Sequence, residues 1–186
     1  MAALTSARNS VTVPVRKGDC LRIPMAADAV ILLGGMVCRD ADGYAVAAAD
    51  TVDYVFAGVA VNDMQDATAG QDGRYDNTGG SDGDMEVVVM YRGRARYDLL
   101  NRTPTQDMLF GEVYVADDQT VAVHPWDVDN DIPCGQIMRC PGTTLAAHPV
   151  TDMDATEVEI EFFGDPFAWG SDLTTTTAAA TTTAQE

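Results

Sequence analysis

The sequence predicts an all-β protein, a small barrel or sandwich of short antiparallel strands with extended N- and C-terminal arms. Three observations point there. Short β-rich runs recur roughly every ten residues, Asp-Gly and Gly-Gly turns punctuate them, and no segment carries a convincing 3.6-residue apolar period. At most one or two short helices fit.

Taken in order, Val11-Thr-Val-Pro-Val reads as a first strand, with Pro14 arguing for an edge or a bend. Residues 30–33 and 36–38 flank a tight turn at Gly34-Gly35. Asp42-Gly43 then separates residues 36–39 from 44–47, a hairpin signal because glycine takes positive φ freely. Residues 54–61 form a long apolar run broken by Gly58, the pattern of a buried strand with a bulge. Residues 62–84 have no apolar period and read as an acidic, glycine-rich surface loop. The longest strand candidate spans 85–97. Its second half alternates, with Arg92, Arg94 and Arg96 on one face and Tyr91, Gly93, Ala95 and Tyr97 on the other. Residues 113–116 and 120–123 make a hairpin around Asp117-Asp-Gln, and residues 134–140 and 156–163 complete the set. Only 99–109 and 151–155 leave room for a short helix. The tail 174–184 is Thr and Ala alone, too small in side chain to offset its own ordering entropy. The expected layout is a basic arm (1–22) leading into the first strand, one β domain (23–170) and a Thr/Ala tail (171–186).

Charge narrows the function classes. Twenty-nine acids face eleven bases across 186 residues, a net charge of −18, so nucleic acid and anionic membrane are not expected as partners of the body. No apolar run reaches the ~18 residues of a membrane span, and no secretory signal pattern is visible at the N-terminus. Of the acids 23 are Asp, and Lys17 is the one lysine. Such a balance suits a protein working in very concentrated salt, where a Debye length of about 3 Å screens its self-repulsion. The charge is also uneven. Residues 1–22 carry Arg8, Arg16, Lys17 and Arg22 against Asp19, a local +3, while the other 164 residues carry seven bases and 28 acids, a local −21.

Few residues invite chemistry. Gly79-Gly-Ser-Asp-Gly matches the G-x-S-x-G pattern of a nucleophile elbow, but a polar loop precedes Ser81 and a strand follows it, so the catalytic reading is rejected. Asp127, Asp129 and Asp131 alternate like the start of a calcium loop, yet Ile132 and Met138 stand where the loop glycine and the bidentate Glu belong. Solvated acidic turns are the better reading, with a cation site as the minority one. His124 and His148 each precede a proline, and neither is placed beside a nucleophile. Cys20, Cys38, Cys134 and Cys140 match no zinc spacing and read as reduced thiols, with one disulfide left open. No enzyme activity, metal or cofactor is expected.

The arginine row on residues 92, 94 and 96 is the sharpest feature. A matching row, Glu157, Glu159 and Glu161, alternates with Val158, Ile160 and Phe162. Either the two strands are neighbours whose charges pair across the ladder, or the arginines dock on an acidic partner.

The segment Ala57-Gly-Val-Ala-Val-Asn-Asp-Met, a variable acidic loop, and then Glu86-Val-Val-Val-Met-Tyr-Arg-Gly-Arg-Ala-Arg-Tyr-Asp-Leu-Leu resembles the centre of the head decoration (capsid cement) proteins of tailed viruses. In that family a GVA or GVL strand returns through a loop to a V-x-V-x-x-R-G strand. Arg16-Lys-Gly-Asp, Leu33-Gly-Gly-Met-Val and Gly111-Glu-Val-Tyr-Val-Ala-Asp-Asp-Gln-Thr-Val fit the same layout, so the likeness covers residues 11–163. The long loop 62–84, the stretch 125–133 and the Thr/Ala tail depart from it. The resemblance implies a structural virion protein on the outer capsid surface, made in the host cytoplasm and bound to the major capsid protein at capsomer junctions. It further implies a homo-oligomer, with a trimer favoured, and, joined to the acid-rich composition, a virus of salt-loving archaeal cells. Arg8, Arg16, Lys17, Arg22, Arg92, Arg94 and Arg96 are the candidate capsid contacts. The competing reading is a surface module for a host receptor or glycan, which requires an exposed aromatic cluster. Trp126 and Trp169 are the two tryptophans. The C-terminal group Phe162, Phe163, Phe167 and Trp169 reads as core closure or a subunit contact.

Overall fold

The apolar run that starts near Met85 divides at Tyr91, and that division separates two sheets. The computed structural model describes residues 5–7, 10–12, 19–63, 72–141, 144–145, 148–149 and 153–164. Arg8, Arg16, Lys17, Phe167, Trp169 and the Thr/Ala tail lie outside the described residues. An open antiparallel sheet has the order β1 (Cys20–Pro24), β7 (Glu86–Met90), β5 (Val55–Ala60), β3 (Met36–Arg39) and β4 (Ala45–Ala47). A closed barrel runs β10 (Thr120–Ala122), β8 (Arg92–Leu99), β14 (Glu157–Phe163), β11 (Pro133–Arg139) and β9 (Glu112–Val115). Two ribbons complete the fold, β2 (Val30–Leu32) with β6 (Arg74–Asp76), and β12 (Thr144–Leu145) with β13 (His148–Pro149). The all-β class and the small barrel are as the sequence predicts. One barrel pairing, β10 with β8, is parallel.

The predicted single strand 85–97 is therefore two. Burial explains the break: β7 buries every residue from Val87 to Met90, whereas β8 alternates and can line only one face. Tyr91 passes the chain between sheets, its N–H donating to the Asp19 carbonyl and its own carbonyl accepting from Gly164. The Asp42-Gly43 hairpin forms as expected between β3 and β4, with Gly43 at φ 90°. So does the bulge in β5, where the register against β3 shifts and Gly58 takes φ 142°. A Cβ at Gly58 would run into the Met90 carbonyl oxygen, so this close approach of β5 to β7 requires glycine.

One further expectation needs correction. The loop 62–84 contains β6, whose central Tyr75 is buried and donates its hydroxyl to the Val61 carbonyl at 2.8 Å; one apolar anchor in a polar stretch is too little to show as a period. The tight turn at Gly34-Gly35 forms as expected, and it joins strands of different sheets, since β2 pairs with β6. In keeping with at most one or two short helices, the room left in 99–109 holds a 3-10 turn, Gln106–Met108, and a further such turn spans Pro125–Asp127. Each is too short to repay a helical nucleus by itself.

The N-terminal stretch begins its structure earlier than the arm boundary at 22, because β1 starts at Cys20. Upstream, Val11 bridges Ala95 antiparallel, Thr12 donates to the Arg94 carbonyl and Arg96 donates to the Ser10 carbonyl, both at 2.9 Å. The buried Ser10 hydroxyl donates to the Gly34 carbonyl at 2.6 Å, and Tyr97 donates to the same oxygen at 3.2 Å. One stretch of chain thus edges β8 in the barrel and β7 in the sheet. The two share one apolar core, in which Phe56 of the sheet meets Phe162 of the barrel edge-to-face at 6.3 Å.

Candidate functional site

The outer wall of the barrel is where the arginines collect. Ala95, Tyr97, Val158, Ile160 and Phe162 fill the core, so the alternation of β8 and β14 sends Arg92, Arg94 and Arg96 and the glutamates outward. The strands are neighbours, with Arg96 opposite Glu159, Arg94 opposite Glu161 and Arg92 opposite Phe163. Arg94 Nη2 lies 3.3 Å from Glu161 Oε2, and its Nη1 lies 3.9 Å from Glu159 Oε1. Arg96 Nε lies 3.9 Å from Glu159 Oε2, and Arg139 Nη1 reaches the same oxygen at 3.4 Å. Three guanidiniums thus surround one carboxylate whose side chain is only 4% exposed. Of the two readings of the arginine row, the geometry gives the charge ladder for Arg94 and Arg96.

Glu157 falls opposite Asp98 and takes a different part, its carboxylate capping the turn by accepting from the Asp154 amide at 3.2 Å. Arg139 was not legible. Strict alternation from the buried Ile137 would turn it inward, but a register shift between Ile137 and Arg139 returns it to the outer wall. No sequence signal marks that bulge.

Arg22 is also engaged within the fold. It pairs with the buried Asp63 and lies 3.8 Å from Glu86, so it neutralises a carboxylate of the open sheet. Arg92 differs from Arg22, Arg94 and Arg96. It is exposed and has no acidic partner among the described residues, and its cross-strand neighbour Phe163 is 49% exposed. The expected aromatic group therefore divides: Phe162 is core and Phe163 is surface. Summed over the wall, Arg92, Arg94, Arg96 and Arg139 balance Asp98, Glu157, Glu159 and Glu161; Asp98 and Glu157 face each other at one end, and Arg92 stands without an offsetting acid among the described residues at the other.

Ser81 lies in the turn before β7, its amide donating to the Asp84 carboxylate at 2.7 Å. Asp127 is held by Arg102 at 3.0 Å, and the amides of Asp129 and Asn130 donate to Asp50 at 2.6 and 2.8 Å. Among the described residues no three His, Cys, Asp or Glu side chains converge as a metal site. His124 stacks on Trp126 with ring centres 4.3 Å apart, and Trp126 is 74% exposed. All four cysteines are free thiols; burial pushes Cys38 up to about 12 and raises Cys134 well above the ordinary range. Among the described residues no helix is long and apolar enough to cross a membrane.

Comparison of the chain with protein-family models, with curated proteins and with solved structures found no match.

Proposed function

We propose that this chain is a structural virion protein that binds the outer surface of an assembled capsid at capsomer junctions and braces it. One observation carries the reading. The two segments that resemble capsid cement proteins, 57–64 and 86–100, meet through their strands β5 and β7: Val59 pairs with Met90 and Ala60 with Val89, and the chain then continues through Tyr91 into the arginine strand β8. That is the layout expected of a GVA strand returning to a V-x-V-x-x-R-G strand.

The physical requirements of such a brace agree. It needs a stiff body, an end that can lie along a strand edge, and several weak contacts acting together rather than a reaction centre. Here the N-terminal stretch already lies along β8 and β7, binding the two sheets into one body. The partner is the major capsid protein, the assembled form a homo-oligomer with a trimer favoured, and the place of action the virion surface of a virus of salt-loving cells. Arg8, Arg16 and Lys17 remain candidate contacts alongside Arg92.

The test is sedimentation of the purified full chain with shells of the encoding virus stripped of it, in molar potassium chloride and in dilute buffer. Saturable recovery with the shells in molar salt is expected; recovery of all the protein in the supernatant at every shell concentration contradicts the proposal.

A second reading has one observation in its favour. The exposed Trp126, stacked on His124, is the kind of aromatic platform a glycan-binding module uses. A glycan array on the full chain separates the two: binding lost in Trp126→Ala favours the module, and an array without binding favours the brace.

A further inference from the structure

Arg92 and Phe163 sit opposite each other on neighbouring strands at the end of the charge ladder, both exposed. Each is the exception in its row. The arginines beside it, 94 and 96, are spent on Glu159 and Glu161, and the phenylalanine beside it, 162, is wholly buried in the core. Exposing a large aromatic beside an uncompensated guanidinium is the composition of an interface anchor, since Arg and aromatic side chains dominate binding energy where water is excluded from both.

We infer that Arg92 and Phe163 form the anchor for an acidic protein other than this chain, contacted through a segment that alternates carboxylate and apolar side chains. Charge complementarity names the partner. At this end of the ladder the Arg92 charge is offset by no acid among the described residues, and a carboxylate is the group a planar guanidinium binds in bidentate fashion. In molar salt the long-range repulsion from a −18 chain fades beyond about 3 Å, so only contact-range pairing and apolar burial decide the outcome. A polynucleotide fits this surface poorly, because its affinity comes from counterion release and collapses in the same salt. An alternating segment satisfies both members at once: its carboxylate meets Arg92 while its apolar neighbour covers Phe163. The proposal deepens the capsid reading and rests on it only for which acidic protein is the partner.

The probe is a synthetic peptide alternating aspartate and leucine, titrated against the full chain in molar potassium chloride, with a single-stranded oligonucleotide as the second ligand. Peptide binding should weaken by about tenfold or more in both Arg92→Glu and Phe163→Ala. It should partly survive in Arg92→Lys and be unchanged in Arg102→Glu, whose arginine pairs with Asp127 elsewhere on the barrel. Both altered positions are exposed, and matching far-ultraviolet and thermal profiles establish that the variants fold. No peptide binding by the native chain, equal binding by all variants, oligonucleotide binding in place of peptide, or self-association abolished by Arg92→Glu each overturns the anchor. If native protein and both variants bind shells equally while the peptide does not bind, the capsid reading stands and the anchor falls. If the peptide binds through the pair and shells do not bind, the anchor stands and the capsid reading falls.

Discussion

In the open sheet, β3, β5 and β7 bury side chains on both faces, so Met36, Val37 and Cys38 are all inaccessible in succession; in the barrel, β8 and β14 turn apolar side chains to the core and set ionised groups on the other face, where Glu159 is buried among its arginines. The sheet is held by apolar burial, which concentrated salt leaves intact or strengthens. The barrel wall is held partly by ion pairs around Glu159. Its arginines are partly solvated, so its strength changes with salt. The two halves therefore meet the same solvent with different sensitivities, and the N-terminal stretch binds them into one body.

The largest effect should come from Phe162→Ala, which empties the position where barrel and sheet meet. It is expected to cost about 3–5 kcal/mol in denaturant unfolding and to lower a single transition. Two separated transitions, with only one displaced, would show that sheet and barrel unfold independently. Glu159→Gln comes next. It leaves Arg94, Arg96 and Arg139 around a neutral amide, and the loss should be about 2–3 kcal/mol in dilute buffer. That figure is discounted from a fully buried pair because the arginines reach solvent. Thermal unfolding at several salt concentrations should show the deficit shrinking toward molar salt; a deficit independent of salt would erase the contrast between the halves.

How much of this was legible follows from the same contrast. Alternation assigns each residue a face, so Arg94, Arg96, Glu159 and Glu161 stand out in the sequence as two matching rows, but only the register decides between pairing across the ladder and docking on a partner. Continuous apolar runs have several solutions. Residues 85–90 could as well have continued straight into the arginine strand, and only the tertiary crossover at Tyr91 divides them. Tyr75 could not be found because one buried residue in a polar stretch carries no period. Arg139 could not, because a bulge inverts the parity on which the reading depends. Arg92 was grouped with Arg94 and Arg96 for the same reason it later separates from them: parity assigns the face, and the register alone shows that it meets Phe163 and not a third glutamate.

Alkali should act on the buried thiol of the sheet. Cys38 is held protonated by burial, with its folded value pushed up to about 12 from an unfolded 9.0. The folded state therefore binds the proton more tightly. The stability this contributes is complete below pH 9 and is lost as pH rises through 12. Cys134, Tyr54 and Tyr75 are raised for the same first cause and act in the same direction. Unfolding midpoints should decline from pH 9 to 12, and Cys38→Ala should flatten the decline; a profile equally steep in the variant would assign it elsewhere. The smallest effect is expected from Ser10→Ala. It removes one buried hydrogen bond to Gly34, whose oxygen keeps Tyr97, and should cost about 1 kcal/mol. Faster amide exchange at Arg96, the donor to the Ser10 carbonyl, would locate that loss at the barrel edge.

The most direct test of the proposed brace is electron cryomicroscopy of shells of the virus proposed to encode it, reconstituted with the full chain in molar salt. The account predicts density for this β body on the outer surface at junctions between capsomers, with the edge carrying Arg92 and Phe163 turned toward the shell. Bare junctions in shells saturated with the protein would contradict it.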